Sequence, residues 1–410
     1  MPRQLLIIIA FMVITAGMAC QREAQLPDAI ISGGSMYPSM PGEHYSVTCD
    51  DCKFPFIFDN YKPPASGMVV CPNCGFTEID FRNQNQLGAI RPRLKPIAST
   101  KPIPRWEIVV FQSTFNSQQP RNVVKRVVGL PGEQISAANG NLYANGKILS
   151  KPIEIFNRTK QIVFDSKYLQ RDRGANRFTP LTIGKSAWSF TSEQWRFASA
   201  ENVDEFDFIR YRHIRGYRHF DDRFEPTVIE DSSAFNQNVS RKLFPVSDLQ
   251  VDLNVELRND AEFCLRLKNS KELLFLFSPE QLTLLIDQQS VASSEFISNN
   301  DQPLRISFSV YDDQIYVHLN DKILLKHEFE PGDGNMEVDV GARRGEMALH
   351  RVRIFRDIHY LSIQPSKDTD GYFVLGDNPP ISVDSRQFGR ITRAQIKAAV
   401  DSTNFKHSAQ

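Results

Sequence analysis

The 410-residue sequence has no excess of charge of either sign, since 48 Lys and Arg residues balance 48 Asp and Glu residues. A protein whose main role is to bind nucleic acid needs a basic excess that releases counterions from phosphates. The balance therefore argues against a nucleic-acid partner. With 41% hydrophobic and 23% charged residues, the composition also excludes a largely disordered chain.

Long apolar runs are scarce as well. Residues 5–20 form an uncharged stretch of sixteen residues that follows Arg3, whereas a membrane span needs about 20. Three interpretations stay open: a cleaved signal peptide, a lipoprotein signal with lipid on Cys20, and a retained single-span anchor. We expect the anchor, over residues 1–22. All three place the rest of the chain outside the cytoplasm.

Tryptophan (3) and cysteine (6) are rare, whereas phenylalanine (29) and proline (24) are frequent, which favours β structure. Between residues 156 and 359, short alternating stretches are separated by turn signals such as Asp312-Asp313 and Asn320-Asp321. This pattern predicts an antiparallel β-sandwich. The stretches 304–328 and 351–357 resemble concanavalin-like (laminin-G-like) sandwiches, a fold that often binds glycans.

A cluster of aromatic and polar residues in this insert has two interpretations. Such residues form either a sugar-binding platform or, more commonly, part of the core. The residues are Trp188, Trp195, Tyr211, Arg212, His213, Tyr217 and His219.

Four of the cysteines are arranged as two CxxC pairs, Cys49/Cys52 and Cys71/Cys74, separated by eighteen residues. Two such knuckles supply four thiolates within tetrahedral reach, which predicts a structural zinc ribbon. The rival interpretation is two disulfides, because an oxidising exterior permits them. Cys264 lies in a strand pattern and is expected to be a buried small hydrophobe.

Three stretches carry residue types suited to catalysis. They are Ser-Gly-Gly-Ser-Met-Tyr-Pro at 32–38, Lys-Arg-Val-Val-Gly-Leu-Pro-Gly-Glu at 125–133 and Gly-Asp-Asn-Pro-Pro-Ile-Ser-Val-Asp-Ser-Arg at 376–386. Taken singly, they fit an ordinary turn, an edge-strand lysine and a surface loop. However, a lysine within a valine-rich strand can be desolvated, which lowers its pKa and lets the neutral amine act as a base.

Together the three stretches resemble the sequence boxes of type I signal peptidases. Those enzymes have Ser-Gly-Ser-Met-x-Pro after an apolar anchor, then Lys-Arg-Val-x-Gly-Leu-Pro-Gly-Asp, then Gly-Asp-Asn-x-x-x-Ser-x-Asp-Ser-Arg. The order and nearly all signature residues agree. The resemblance covers residues 30–48, 103–155 and 360–405.

The resemblance implies a Ser/Lys dyad with Ser35 as nucleophile and Lys125 as general base. Ser382 matches the serine that orients the lysine amine, and the Ser35 N–H matches an oxyanion donor. Asp384 and Arg386 match a buried ion pair. The remaining supporting residues, expected to hold the loop, are Asp377 and Asn378.

Some positions depart from the family pattern. Gly33 stands where many members have a Ser or Thr that supplies a second oxyanion donor, and Ser32 is a candidate substitute. Trp106-Glu107 replaces a common Gly-Asp, and residues 379–381 are apolar where the family is polar. We expect these changes to affect the scaffold and not the dyad.

The sequence thus predicts a mainly β protein with a peptidase core in three parts, an N-terminal membrane helix and two inserts. The expected parts are an anchor (1–22), core (23–48), zinc ribbon (49–89), core (90–155), concanavalin-like sandwich (156–359) and core (360–410).

The predicted function is that of a signal peptidase in a bacterial cell membrane. It would cut secreted preproteins on the extracytoplasmic side, without a catalytic cofactor. Membrane lipid and, through the insert, a glycan are further expected partners. The rival interpretations are a non-catalytic surface protein and a processing peptidase for which the insert selects substrates.

Overall fold

A computed structural model describes residues 26, 29–61, 63–98, 100–169, 177–182, 184–191, 194–199, 204–216, 226–297 and 302–401. The described part of the chain is mainly β, as predicted, and the helices in it are short. Within these ranges no helix has both the length and the apolar character needed to cross a membrane. The expected anchor, residues 1–22, lies outside the described residues.

The elements before the insert are β1 (His44–Thr48), β2 (Pro55–Asp59), β3 (Met68–Val69), β4 (Ile79–Asp80), β5 (Asn85–Leu87), β6 (Leu94–Lys95), β7 (Ile108–Ser113), β8 (Arg121–Gly129), β9 (Ile135–Ala138), β10 (Asn141–Ala144), β11 (Lys147–Ile148) and α1 (Ile153–Thr159). A 3-10 turn covers Phe81–Asn83.

The insert contains β12 (Gln161–Asp165), β13 (Phe178–Pro180), β14 (Trp188–Thr191), β15 (Gln194–Ala198), β16 (Asp207–Tyr211), β17 (Leu249–Arg258), β18 (Glu262–Lys268), β19 (Glu272–Phe277), β20 (Gln281–Ile286), β21 (Gln289–Glu295), β22 (Leu304–Tyr311), β23 (Gln314–Leu319), β24 (Lys322–Glu328), β25 (Glu337–Arg343) and β26 (Glu346–Arg356). Its 3-10 turns cover Ser166–Tyr168 and Ala234–Asn236.

The chain then forms β27 (Phe373–Leu375), α2 (Ser385–Phe388) and β28 (Ile396–Val400), with a 3-10 turn at Arg393–Gln395. A five-stranded antiparallel sheet in the order β27-β8-β7-β28-β6 unites segments from before and after the insert. The interior strand β8, between β27 and β7, is rich in β-branched valine and is buried over its last six residues. The sheet therefore brings the segment that follows the insert alongside the lysine-bearing strand.

The stretch 142–148 forms a tight hairpin. β10 and β11 pair antiparallel around Asn145 and Gly146, whose φ angles are 51° and 79°. Two consecutive residues with positive φ form the type I′ turn that joins tight hairpins, and Asn-Gly is its preferred sequence. The Asn-Gly dipeptide was thus a signal for a turn within the stretch.

The insert folds as two packed antiparallel sheets, which confirms the predicted sandwich architecture. One sheet has the order β14-β15-β26-β17-β22-β23-β24 with β12 beside β26, and the other has the order β13-β16-β25-β18-β19-β20-β21. Their inner faces share one apolar core, in which the ring centroids of Phe275 and Phe308 lie 5.0 Å apart across the sheets. Cys264 is fully buried, as expected.

The aromatic cluster in the insert belongs largely to this core. Trp188, Trp195 and Tyr211 are at most 7% exposed and pack with the core residues of both sheets. His213 is buried beside the Tyr211 hydroxyl, at 3.2 Å. The interpretation of these buried residues as a sugar-binding platform is therefore wrong, because a stacking surface must be open to solvent. Tyr217 and His219 lie outside the described residues.

A buried ion cluster joins the two ends of the insert. Lys151 precedes α1, and its Nζ lies 2.6 Å from an Asp312 carboxylate oxygen and 2.7 Å from one of Asp357. Asp312 lies in the β22–β23 turn, and Asp357 directly follows β26. All three side chains are 2% exposed. The two carboxylates outweigh burial and raise the pKa of Lys151 well above its ordinary value.

We expect Lys151→Ala to lower the free energy of unfolding by about 3–5 kcal/mol, because it leaves two buried carboxylates without their cation. Urea denaturation of the purified chain measures the change. The matched control is Arg305→Ala, whose partner is Asp321 and whose ion pair is 65% and 83% exposed. That control should cost no more than about 1 kcal/mol. Equal effects of the two substitutions would contradict a stabilising role of the buried cluster around Lys151.

Candidate active site

Ser35 and Lys125 meet in the structure although ninety positions separate them. Lys125 lies in β8, and Ser35 lies in the turn that precedes β1. The Nζ atom of Lys125 lies 2.8 Å from Ser35 Oγ and 3.0 Å from the Val124 carbonyl oxygen. Ser35 is partly exposed, whereas Lys125 is 4% exposed. A partly exposed hydroxyl is thus paired with a desolvated amine.

The surroundings of Lys125 favour its neutral form. Burial lowers the pKa of Lys125 to about 8, against the opposing effect of the nearby carboxylates Asp384 and Asp377. Asp377 is paired with Arg126 and Asp384 with Arg386, and neither carboxylate forms an ion pair with the amine. About one tenth of the amine is therefore neutral at pH 7, far more than for an ordinary lysine.

The loop 376–386 follows β27 and contacts the turn that contains Ser35. Asp384 is fully buried, caps α2 and accepts a hydrogen bond from the Gly376 N–H at 3.1 Å. Arg386 binds the Asp384 carboxylate, with its Nε atom 2.7 Å from Oδ1. The structure thus contains the ion pair that the resemblance implies. A Cβ on Gly376 would lie 2.4 Å from the Ser35 carbonyl oxygen, so only glycine allows this approach.

Asn378 and Ser382, in the same loop, differ in their contacts with the dyad. The Asn378 N–H donates to the Ser35 carbonyl at 3.1 Å, and its side-chain amide donates to the Gly34 carbonyl at 3.0 Å. Ser382 is buried, but its Oγ atom has no hydrogen-bond partner among the described residues. The expected hydrogen bond between Ser382 and the Lys125 amine is therefore not formed in this structure.

A second buried ion pair, which sequence reasoning missed, lies next to the dyad. Arg126 follows Lys125 in β8, and its guanidinium binds the Asp377 carboxylate with contacts of 2.6 and 2.7 Å. It also donates to Ser39 Oγ at 3.0 Å and to the Trp106 carbonyl at 2.9 Å. Burial opposes the charge of Arg126, but Asp377 outweighs it and the pKa is raised. The Lys-Arg order in the box was the available signal.

Trp106 keeps the backbone geometry that a glycine would provide at this position. Its φ angle is 71°, in the left-handed region that disfavours side chains. The indole is 8% exposed and packs in an apolar cluster that includes Val128 and Phe373. Burial of this large ring offsets the conformational cost, and the Trp106 carbonyl remains available to Arg126.

The four paired cysteines converge on one point. All four Sγ atoms lie within 4.8 Å of one another, and the Cys49–Cys74 and Cys52–Cys71 separations are both 3.6 Å. The sulfurs are not bonded, since a disulfide is about 2.05 Å long. Tetrahedral zinc with bonds of about 2.3 Å places sulfurs about 3.8 Å apart. The donor set and its spacing therefore fit zinc.

The two knuckles have the same backbone design. The Cys49 N–H donates to the Phe54 carbonyl, and the Cys71 N–H donates to the Phe76 carbonyl, both at 2.9 Å. The fourth residue after each first cysteine, Lys53 or Gly75, has a positive φ of 64° or 84°. This repeated turn aims both cysteines of a pair at the common point.

Comparison with known proteins points to one family. Residues 3–186 match the family model described as "Signal peptidase, peptidase S26", a range that holds Ser35 and Lys125 but not the loop 376–386. Signal peptidase I of Bacillus caldolyticus is 43% identical over 97 residues, which cover 24% of this chain and 44% of that protein. Probable signal peptidase I-2 of Synechocystis sp. is 30% identical over 117 residues, covering 26% and 47%. The chain spans less than half the length of these curated relatives.

Two solved structures that are similar to the chain have low TM-scores. The laminarinase catalytic domain from Thermotoga maritima is 7% identical, with a TM-score of 0.34, covering 48% of this chain and 98% of that one. The carbohydrate-binding module CBM66 from Bacillus subtilis is 10% identical, with a TM-score of 0.28, covering 44% and 93%. Both TM-scores are below 0.5, so these likenesses carry no argument about fold or ligand.

Proposed function

We propose that the protein is a serine endopeptidase of the signal peptidase I type, which removes signal peptides from secreted preproteins. The observation that carries the proposal is the 2.8 Å contact between Ser35 Oγ and the buried Lys125 amine. The family match over residues 3–186 supports it. The non-catalytic alternative gives no reason to keep an unpaired lysine buried against a serine, which is costly for a binding scaffold.

In the proposed reaction, Ser35 Oγ attacks the carbonyl carbon of the scissile peptide bond while the neutral Lys125 amine takes the hydroxyl proton. The resulting ammonium gives a proton to the leaving amine as the C–N bond breaks. An acyl-enzyme on Ser35 remains. Water then attacks the ester carbonyl with Lys125 again as base, which releases the signal peptide and restores Ser35.

The Ser35 N–H is the proposed oxyanion donor, and it donates no hydrogen bond to any of the described residues. A second donor remains a prediction. Ser32 is exposed, and the hydrogen bond from Glu43 N–H to its carbonyl, at 2.9 Å, fixes only its backbone. A preference for small side chains at the first and third positions before the cleaved bond is likewise part of the proposal, with the substrate bound as an extended strand.

We further propose that residues 1–22 anchor the enzyme in a bacterial cell membrane, with the catalytic part on the extracytoplasmic side. The uncharged run after Arg3 supports this placement. Membrane lipid would then hold the enzyme near its substrates.

Structural zinc is the proposed occupant of the four-cysteine site. Cys49, Cys52, Cys71 and Cys74 would hold it, and four thiolates leave no open position for catalysis. Its role would be to fix the two knuckles, whose apolar cluster is small and includes Phe54, Phe58 and Phe76.

We expect Ser35→Ala and Lys125→Ala to lower cleavage of a preprotein by at least about 10⁴-fold, because the two residues act as one unit. Lys125→Arg should fail equally, since a guanidinium stays protonated and cannot act as a base. Single-turnover cleavage followed by gel electrophoresis measures the loss. The controls are Ser46→Ala and Lys147→Ala, two exposed positions outside the site, which should cleave like the parent. Parental rates in both dyad variants would contradict the proposal.

Metal analysis of the purified chain should find one zinc per chain. The double variant Cys49→Ser/Cys74→Ser should lose the metal because two thiolate ligands are gone. Cys264→Ala alters a buried cysteine of the sandwich and should retain the metal. A parent chain without zinc and with all four cysteines oxidised would overturn the assignment in favour of disulfides.

A further inference from the structure

A short segment of the insert contacts the nucleophile turn, the loop 376–386 and the four-cysteine unit. It is the turn formed by residues 233–237 (Ser-Ala-Phe-Asn-Gln), and it includes the 3-10 turn at Ala234–Asn236. The Ser233 side chain accepts a hydrogen bond from the Phe235 N–H at 3.3 Å and so fixes the start of the turn. Phe235 is fully buried, and Asn236 is 7% exposed.

Phe235 covers the backbone beside the nucleophile. Its ring is stacked on that of Tyr37, with centroids 4.3 Å apart and planes inclined by 11°. A Cβ on Gly34 would lie 2.2 Å from Phe235 Cε1, so the ring occupies the space that a side chain at Gly34 would need. The insert thus packs directly against the residue that precedes Ser35.

Asn236 forms a reciprocal amide pair with Asn378. The Asn236 amide donates to Asn378 Oδ1 at 2.6 Å, and the Asn378 amide donates to Asn236 Oδ1 at 2.9 Å. Asn378 is 1% exposed, so no bulk water replaces a lost partner. The pair therefore fixes the orientation of the Asn378 side chain, whose second N–H donates to the Gly34 carbonyl at 3.0 Å.

The Gly34 carbonyl and the Ser35 N–H belong to the same peptide unit. That unit is planar, so fixing the direction of its C=O also fixes the direction of its N–H. The Ser35 N–H is the proposed oxyanion donor, which must point at the developing negative charge to be effective. A chain of contacts thus runs from Asn236 through Asn378 to the oxyanion donor.

We propose that Asn236 is a positioning residue for catalysis, which acts through Asn378 on the Gly34–Ser35 peptide and makes the insert part of the catalytic unit. This inference rests on the proposed peptidase activity. It assigns to the insert a role in the chemical step that is separate from any selection of substrates. Asn236 itself does not contact the dyad; its effect passes through Asn378.

The test is Asn236→Leu in the full chain, because leucine has the same branching at Cγ as asparagine but cannot form the amide pair. We expect kcat for preprotein cleavage to fall by about 10²-fold, the loss typical of a misplaced oxyanion donor. KM should change by less than about threefold, since substrate-binding surfaces are untouched. The pH midpoint of the rate should stay that of the parent, because the environment of Lys125 is unchanged.

Gln237→Leu is the matched control, one residue along the same turn. The Gln237 amide binds the Val70 backbone of the four-cysteine unit with contacts of 2.6 and 2.7 Å, away from the nucleophile. Its kcat should stay within about threefold of the parent. Equal losses of kcat in the two variants, or no loss in Asn236→Leu, would overturn the inference and show that the turn is merely structural.

If thermal melting shows that Asn236→Leu does not fold, Asn236→Ser and Asn236→Ala give the same comparison. A serine hydroxyl both donates and accepts, so the serine variant should retain the higher kcat, and equal rates would overturn the inference. A parent that cleaves preproteins while Ser35→Ala does not shows that the proposed function stands independently of these outcomes. A parent without cleavage would overturn the proposed function and this inference with it.

Discussion

The burial of an unpaired lysine amine is the constraint on which the site depends. An ammonium group taken out of water is strongly disfavoured unless a carboxylate compensates it. At Lys125 the two nearby carboxylates are each bound to an arginine, Asp377 to Arg126 and Asp384 to Arg386. The amine is left with the Ser35 hydroxyl and a backbone carbonyl as its partners. The pKa of Lys125 falls to about 8 as a result.

Lys151 shows how much the partners matter. It is at least as deeply buried as Lys125, yet its pKa is raised well above the ordinary value because Asp312 and Asp357 bind it directly. The same side chain is thus an ion-pair partner in one place and, in the other, an amine hydrogen-bonded to a hydroxyl and a backbone carbonyl. The difference lies in the two arginines, Arg126 and Arg386, which bind the carboxylates near the dyad and leave the Lys125 amine without an ion pair among the described residues.

The sandwich insert is closely joined to the part of the structure that holds Ser35 and Lys125. The five-stranded sheet places Lys125 next to the segment that returns from the sandwich. Lys151, just before the insert, binds Asp357, which directly follows the last strand of the sandwich. The turn 233–237 then reaches back to the peptide before Ser35. A long insert is therefore compatible with a precise dyad because it is fixed at its base and also contacts the nucleophile turn.

Local signals were sufficient for part of the fold and site. The valine-rich stretch predicted strand β8, and the alternating stretches of the insert predicted its sandwich. The CxxC spacing predicted that four cysteines converge. Each of these predictions depends on residues close in sequence. Ser35, Lys125, Asp384 and Arg386 followed from the three boxes. By contrast, the contact between Asn236 and Asn378 joins residues 142 positions apart. No local pattern encodes such a pair.

The aromatic cluster illustrates a different limit. Trp188 and Trp195 have the composition of either a binding surface or a core, and only the pairing of β14 and β15 with the rest of their sheet decides which face they occupy. Arg126 was visible in its box, but its partner Asp377 depends on how β27 returns beside β8. Tertiary topology supplies what the local pattern lacks in both cases.

The pH dependence of kcat/KM for preprotein cleavage tests the central claim most directly, because it reports the ionisation of the free enzyme. Below its pKa, Lys125 is protonated and cannot accept the Ser35 proton, so the rate should rise about tenfold per pH unit. It should level off at about pH 8, the pKa to which burial lowers this lysine. A rate that is constant from pH 6 to pH 9, or that falls over this range, would contradict the account.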